Sequence, residues 1–297
     1  MANTTGVGTL ARLWRFPVKS MKGELLEAAE VTARGVVGDR GYALLDVGTG
    51  KVASAKSVRR FPRLFACSAA YLSAPRPGDD LPPVRITLPD GRSTTSEARD
   101  ADKVLTDFFG RDVQLIRQAP EEFAIDMYYP DVPGADPAGY ADEVVDQKVG
   151  ASYWKQAGLD SPVPPGSFLD LFPSSVLTTS TVNHLNVLQP SSNFDERRFR
   201  MNFVVETPQT GFVENEWIGK DLSIGEQVKL HVACGDPRCV MTTLAIDDLP
   251  QDTDILRVLV KHNRIDFGEG GMLPCAGVYA TVGGTGVVRV GDRVAVG

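Results

Sequence analysis

The sequence predicts an α+β fold dominated by β-structure: two β-rich units, each a small sheet or barrel, with a few flanking helices. Both ends of the chain break into short runs of alternating or β-branched residues. Clusters of Gly, Pro and Asp separate those runs as hairpin turns do, and helix signals are confined to three stretches.

In order along the chain, runs at 8–14, 41–46, 64–72 and 84–88 are expected to be strands. They are separated by Gly48-Thr49-Gly50, Pro75-Arg76-Pro77-Gly78 and Pro89-Asp90-Gly91. Ala101, Val104, Leu105, Phe108 and Phe109 recur at helical spacing with Gly110 at the C-terminal cap position, so a helix is expected to plug or flank this first sheet. Residues 119–167 shift to Pro, Asp, Gly and Tyr without a sustained period and read as a linker or long loop. The expected division is therefore 7–118, 119–167 and 168–297. A helix over 179–188 with Thr179 or Ser180 as N-cap, then strands over 200–206 and 227–232, follow the loop. A helix over 252–263, capped by Asp252 and ending in Lys261-His262, precedes strands over 277–282 and 287–296.

At 297 residues and 42% hydrophobic, the chain can bury real cores without staples. Four cysteines are too few for a disulfide framework, and the first residues lack the charged and apolar blocks of a secretory signal. A cytoplasmic protein with reduced thiols is expected. No apolar run approaches the roughly 20 residues of a membrane span. A net charge of -7 and a pI near 5.1 argue against non-specific nucleic-acid binding, which needs a basic face. There is no phosphate-binding G-x-x-x-x-G-K-[ST] loop, and Gly283-Gly284-Thr285-Gly286 reads as a hairpin between strands. Cys234 and Cys239 fit the first gap of a plant-type iron–sulfur site, but Thr242 occupies the third ligand position.

The stretch Asp236-Pro237-Arg238-Cys239-Val240-Met241-Thr242-Thr243 sets a cysteine beside an arginine where a β-run is expected to begin. A neighbouring guanidinium favours the thiolate, the form that binds soft metals or attacks electrophiles. Three readings of Cys239 stay open: packing in a core, the commonest fate of a free cysteine; a zinc site with His231, Cys234 and either His262 or Cys275; and a catalytic or molybdenum-ligating thiolate. Cations and hydroxyls also gather in Phe16-Pro17-Val18-Lys19-Ser20, Gly38-Asp39-Arg40, Arg197-Arg198-Phe199-Arg200-Met201-Asn202 and Thr178-Thr179-Ser180-Thr181. Together these offer what a small phosphorylated ligand requires.

These clusters, in this order and over about residues 7–296, resemble the MOSC superfamily. The similarity is to its two-domain members, which join an N-terminal β-barrel domain to a C-terminal MOSC β-barrel domain and include reductases of N-hydroxylated bases. Gly277-Val278-Tyr279 and Val290-Gly291-Asp292 complete the matching motifs, residues 119–167 match weakly, and Met201 stands where a proline is frequent. The resemblance implies a molybdenum cofactor whose metal is bound by Cys239. Lys19, Ser20, Arg40, Arg200 and Asn202 would hold its phosphate and pterin, with Thr179 and Ser180 as a nearby hydroxyl pair and Arg238 and Tyr279 on the metal side. It also implies reduction of a small N-hydroxylated or N-oxide substrate. Because the sequence carries no flavin or iron–sulfur motif, an external electron donor is expected, a flavoprotein or ferredoxin-like reductase. The alternatives within the family are a sulfurase-type protein with a persulfide on Cys239 and a cofactor carrier without chemistry of its own.

Overall fold

The computed structural model describes residues 5–297, and its organising feature is a closed barrel of seven strands. These are β1 (Thr5–Arg15), β2 (Ser174–Thr178), β3 (Phe203–Glu206), β4 (Asp221–Ile224), β5 (Val228–Pro237), β6 (Met272–Gly284) and β7 (Arg293–Val296). They lie in the order β2-β3-β1-β7-β4-β5-β6, and pairing of β6 with β2 closes the ring. Every neighbouring pair is antiparallel except β2 and β3. A parallel pair needs a crossover, supplied here by the helices Thr179–Leu188 and Glu196–Phe199. Alternation along the strands turns Leu10, Leu13, Val176, Phe203, Leu222, Leu230 and Val278 into the barrel core.

The first strand of the chain is thus a stave between β3 and β7, far from it in sequence. Residues that follow it build a second unit, in which the helix Ala101–Phe109 and the three-stranded sheets Ala43–Asp46/Lys51–Val52/Val113–Ile116 and Ser68–Tyr71/Val84–Thr87/Ser93–Thr95 enclose Tyr42, Leu44, Leu64, Ile86, Leu105 and Phe108. Among the described residues, five α-helices beside this many strands give the β-rich α+β architecture that the sequence predicts.

Local differences from expectation have physical causes. Residues 119–167 hold a hairpin, Ala124–Tyr129 with Glu143–Lys148, and a helix, Ala151–Gln156, rather than a bare loop. The second hairpin strand has no buried residue, so it lacks the apolar alternation that would announce it. Asp126 anchors the hairpin, accepting from Lys51 at 2.7 Å and Arg60 at 2.6 Å. Thr178, not Thr179 or Ser180, caps the helix over 179–188 by accepting from the Thr181 N–H. The strand expected from residue 200 starts at Phe203, because Arg200 is left-handed. Thr253 occupies the N-cap position of the last helix, Asp254–His262, without a side-chain capping bond, while the Asp252 carboxylate accepts from the Asp254 N–H at 2.9 Å. The glycine-rich 283–286 stretch is no hairpin, since Gly286–Arg289 leaves the barrel to pair with Ala28–Thr32. Strand β5 ends at Pro237 instead of beginning there, and Cys239 starts a short 3-10 turn, Val240–Thr243.

Candidate functional site

Where β1 leaves the barrel, the chain passes through Phe16 to Ser20 beside Arg200, just ahead of β3. Only five non-glycine residues among those described adopt positive φ, and Ser20 (65°), Arg40 (48°) and Arg200 (57°) are three of them. Such conformations are costly and gather where surrounding structure enforces them, commonly at functional sites.

Around these residues lies a buried ionic network. Lys19 donates to the Phe168 carbonyl at 3.0 Å and pairs with Asp170, whose other oxygen takes Lys56 at 2.9 Å. Arg40 pairs with Asp39, and its guanidinium donates to the Arg200 carbonyl at 3.2 Å. Asp39 also accepts from the Phe16 N–H at 2.7 Å and the Asn202 amide at 3.0 Å. Arg200 donates to the Met21 carbonyl, and the Arg40 and Arg200 guanidiniums lie 4.8 and 4.2 Å from the Phe16 ring centre. Four cations therefore face two carboxylates. The imbalance shows in their protonation: burial lowers Lys19 to about 8 despite Asp170, and burial with Arg40 alongside lowers Arg200 to about 9. Burial also pulls on Arg40, but Asp39 overrides it and holds that guanidinium above its ordinary value. A buried cluster with excess positive charge is suited to an anion.

The network continues to the Arg-Cys pair. Arg238 donates to the Ala276 carbonyl at 2.8 Å and the Phe199 carbonyl at 2.9 Å, and pairs with buried Asp236 at 2.6 Å. Its guanidinium is a strut between strand ends, and Arg238 lines the same cavity as Cys239. The cation coupled to Cys239 is Lys56: burial lowers it, but Asp170 and then Cys239 hold it above its usual value. Desolvation raises Asp236 to about 6 although Arg238, Tyr279 and Lys56 oppose the shift. Phe172 stacks on Tyr279 at 5.3 Å between ring centres.

Cys239 is partly buried and opens onto a cavity of about 280 Å³, shared with Lys56, Arg238, Tyr279 and the tyrosines of the hairpin. Burial pushes the other thiols up, Cys67 and Cys234 to about 12 and Cys275 further. His231 is exposed and bonded to Asp221 at 2.9 Å. No group of three or more His, Cys, Asp or Glu among the described residues can hold a metal ion, which removes the zinc reading. Arg200 lines a second cavity, of about 260 Å³, with Trp14, Phe16, Lys22 and Arg197.

Lys19, Arg40, Arg200 and Asn202 are thus brought into one network that continues to Arg238, Tyr279 and Cys239, and Ser20 joins it through Ser54, 3.4 Å away. Thr179 and Ser180 are not joined to it by hydrogen bonds, and the Ser180 hydroxyl donates to the Gly211 carbonyl at 2.8 Å. Asp247 and Asp248 pair with Lys22 and Arg197 instead of facing Cys239. Sequence reasoning missed Lys56 and Asp170. The one available signal was an acidic residue inside the apolar run Ser167-Phe168-Leu169-Asp170-Leu171-Phe172, where an unpaired charge would be costly.

Comparison with known proteins agrees in order and extent. Residues 7–124 match the MOSC N-terminal beta barrel domain and residues 166–295 the MOSC domain. Mitochondrial amidoxime reducing component 2 of Bos taurus is 28% identical over 97% of this chain and 83% of its own length. The Homo sapiens component 2 is also 28% identical, with the same coverage, and the Homo sapiens component 1 is 25% identical over 97% of this chain and 82% of its own length. Among solved structures, the YUAD protein from Bacillus subtilis aligns over 97% of this chain and 94% of its own, at 9% identity and a TM-score of 0.42, too low to carry an argument. With both domain types in order along its length, the chain belongs to the MOSC superfamily, in the two-domain group that pairs a MOSC N-terminal barrel domain with a MOSC domain.

Proposed function

We propose that this protein binds a molybdenum cofactor and reduces N-hydroxylated or N-oxide compounds with electrons from a separate reductase. The observation that carries this reading is the buried surplus of cations, Lys19, Lys56, Arg40 and Arg200 against Asp39 and Asp170, joined through Lys56 to the accessible Cys239. The amidoxime-reducing relatives and the MOSC assignment support it.

The residues suit such a group. Lys19, Arg40 and Arg200 meet the charge of a phosphate, while Ser20 and Asn202 offer a hydroxyl and an amide to a pterin edge. Cys239 supplies the soft sulfur that molybdenum prefers. When bound, the cofactor supplies two-electron chemistry at its metal. Overall, an N–OH group takes up two electrons and two protons, the N–O bond breaks, and an N–H group and water are released. This chain's part is to hold and align: Arg238 fixes the end of β5 so that Cys239 faces the cavity, and Lys56 keeps a positive charge beside the sulfur. The cytoplasmic setting and the division at 119–167 belong to the same proposal.

Purified protein from a molybdenum-replete host is expected to reduce benzamidoxime with a chemical electron donor, and Cys239→Ala to fall to background while remaining folded. Full activity in that variant would reject the ligand role. A persulfide on Cys239 in mass spectrometry, without reduction, would favour the sulfur-carrying alternative.

A further inference from the structure

Breaking an N–O bond consumes protons, and one carboxyl group is placed to feed them to the cavity over Cys239. Asp236, on β5, is 3% exposed and does not itself reach the cavity wall. Its two partners do: it pairs with Arg238 at 2.6 Å and takes a side-chain hydrogen bond from Tyr279, and both of these residues line the cavity. The phenol therefore stands between the hidden carboxyl group and the space where a substrate would lie. Other acids nearby are differently placed. Burial pulls Asp170 up, but Lys19 and Lys56 override it and hold that carboxylate well below its usual range, so it keeps no proton to give. Asp247 and Asp248 pair with Lys22 and Arg197 and do not line the cavity.

We propose that Asp236 and Tyr279 form a proton relay, in which the carboxyl group resupplies the phenol that protonates the oxygen leaving the substrate. Burial, then Asp236 and Asp170, push the Tyr279 phenol well above its ordinary value, so it can release a proton only if another arrives at once. Asp236 can supply it, because burial lifts the carboxyl group to about 6 although Arg238, the Tyr279 hydrogen bond, Lys56 and Arg40 oppose the shift. Cys234 and Cys275, the remaining titratable groups near it, are held as neutral thiols by burial. The inference deepens the proposed reduction and rests on it. As the N–O bond breaks, the Tyr279 O–H proton passes to the departing oxygen and the Asp236 proton passes to the Tyr279 oxygen. A second proton reaches the nitrogen from water, two electrons come from the separate reductase, and water leaves with Asp236 as a carboxylate. Tyr279 is the catalytic residue of the pair and Asp236 acts through it.

The test combines turnover with a direct titration, on the molybdenum-loaded full-length protein. Benzamidoxime reduction by a chemical electron donor is followed between pH 5 and 8, with rates expressed per bound molybdenum so that lost cofactor is not counted as lost proton delivery. Wild-type kcat is expected to fall about tenfold per pH unit above about 6, as Asp236 loses its proton. Asp236→Asn should lower kcat by about 100-fold at pH 6 with KM unchanged, and should abolish the decline; Tyr279→Phe should do the same. Independently of turnover, carbon-13 NMR of protein labelled at the Asp carboxyl carbons should show one group titrating near pH 6, absent in Asp236→Asn and moved upward in Tyr279→Phe, where the hydrogen bond that favours the carboxylate is gone. Asp136→Asn, at the hairpin side of the cavity, should keep the wild-type profile. An Asp236→Asn protein with wild-type kcat or an unaltered pH decline, a profile lost in Asp136→Asn instead, or a carboxyl titration indifferent to Tyr279→Phe overturns the relay. A wild type that reduces nothing removes the reductase and the relay with it, whereas an active wild type beside an indifferent Asp236→Asn removes the relay alone.

Discussion

A single lysine shows how the site is set for an anion. Lys19 is 5% exposed and shares Asp170 with Lys56, so burial outweighs its partner and its pKa falls from 10.5 to about 8. A base whose folded pKa lies below its unfolded value makes its full cost of burial felt below pH 8 and sheds it as pH rises toward 10.5. Unfolding free energy should therefore rise across that window, on the order of 3 kcal/mol at full expression. In Lys19→Met this part of the rise should vanish. Urea titrations at pH 7.5 and 10 compare the two proteins, and identical pH profiles would show that Lys19 is not the source. The same titration predicts that affinity for a phosphorylated ligand drops as pH passes about 8, because the cluster then loses a charge.

The identity of such residues was legible because cations and hydroxyls are conspicuous near strand ends. Their partners were less so: Asp39 and Asp236 stood inside recognised motifs without a role, and Lys56 gave no signal, because its meaning comes from the spatial approach of Asp170 and Cys239.

Among elements, the ends of strands do more than their middles. The sequence suggests that a strand starts at Arg238; in the structure β5 stops there, since Arg238 turns its donors onto the Ala276 and Phe199 carbonyls. Facing it, β6 bends at Gly277, where φ is 78° and an added Cβ would lie 2.6 Å from the Val176 carbonyl oxygen. Gly277→Ala should cost about 1–3 kcal/mol from backbone strain alone and displace Arg238, seen as a lower urea midpoint together with lost reduction of benzamidoxime. An unchanged midpoint would contradict the crowding.

Fully buried Glu214 ties this bend to the crossover helix. It accepts from the Gly277 N–H at 3.1 Å, the Thr178 hydroxyl at 2.6 Å and the Thr181 hydroxyl at 2.7 Å. Glu214→Ala leaves the buried Gly277 N–H unanswered and the Thr178 and Thr181 hydroxyls only longer contacts with each other at 3.3 Å and with the Gly211 carbonyl at 3.5 Å, so at least about 1–3 kcal/mol of stability should be lost in denaturant titration. Nothing in the sequence marks this glutamate, because all three of its partners lie more than thirty residues away. The helix over 101–109, by contrast, was readable in full from its local spacing and its terminal glycine.

For the whole molecule, the decisive fact is that the barrel carrying Cys239 is closed by the first strand of the chain. β1 pairs with β3 on one side and β7 on the other. A fragment of residues 168–297 would lack that stave and expose two strand edges, a situation that favours aggregation. Expressed alone it should show no cooperative unfolding transition, whereas addition of a segment covering Thr5–Arg15 should restore one. A cooperative transition in the fragment by itself would refute this dependence. The β-rich class could be read from punctuation and alternation, but barrel closure could not, since strand pairing over almost the full chain length leaves no local trace. The same closure brings Lys19 and Arg40 from the first half against Arg200, Arg238 and Cys239 from the second.

The most direct measurement of the account is metal analysis of the full-length protein from a molybdenum-replete host, wild type beside Cys239→Ala and an Arg40→Ala/Arg200→Ala double variant. Stoichiometric molybdenum in the wild type, absent or sharply reduced in both variants while they stay folded, is the predicted result. A wild type without molybdenum, or a Cys239→Ala protein that holds as much as the wild type, would contradict it.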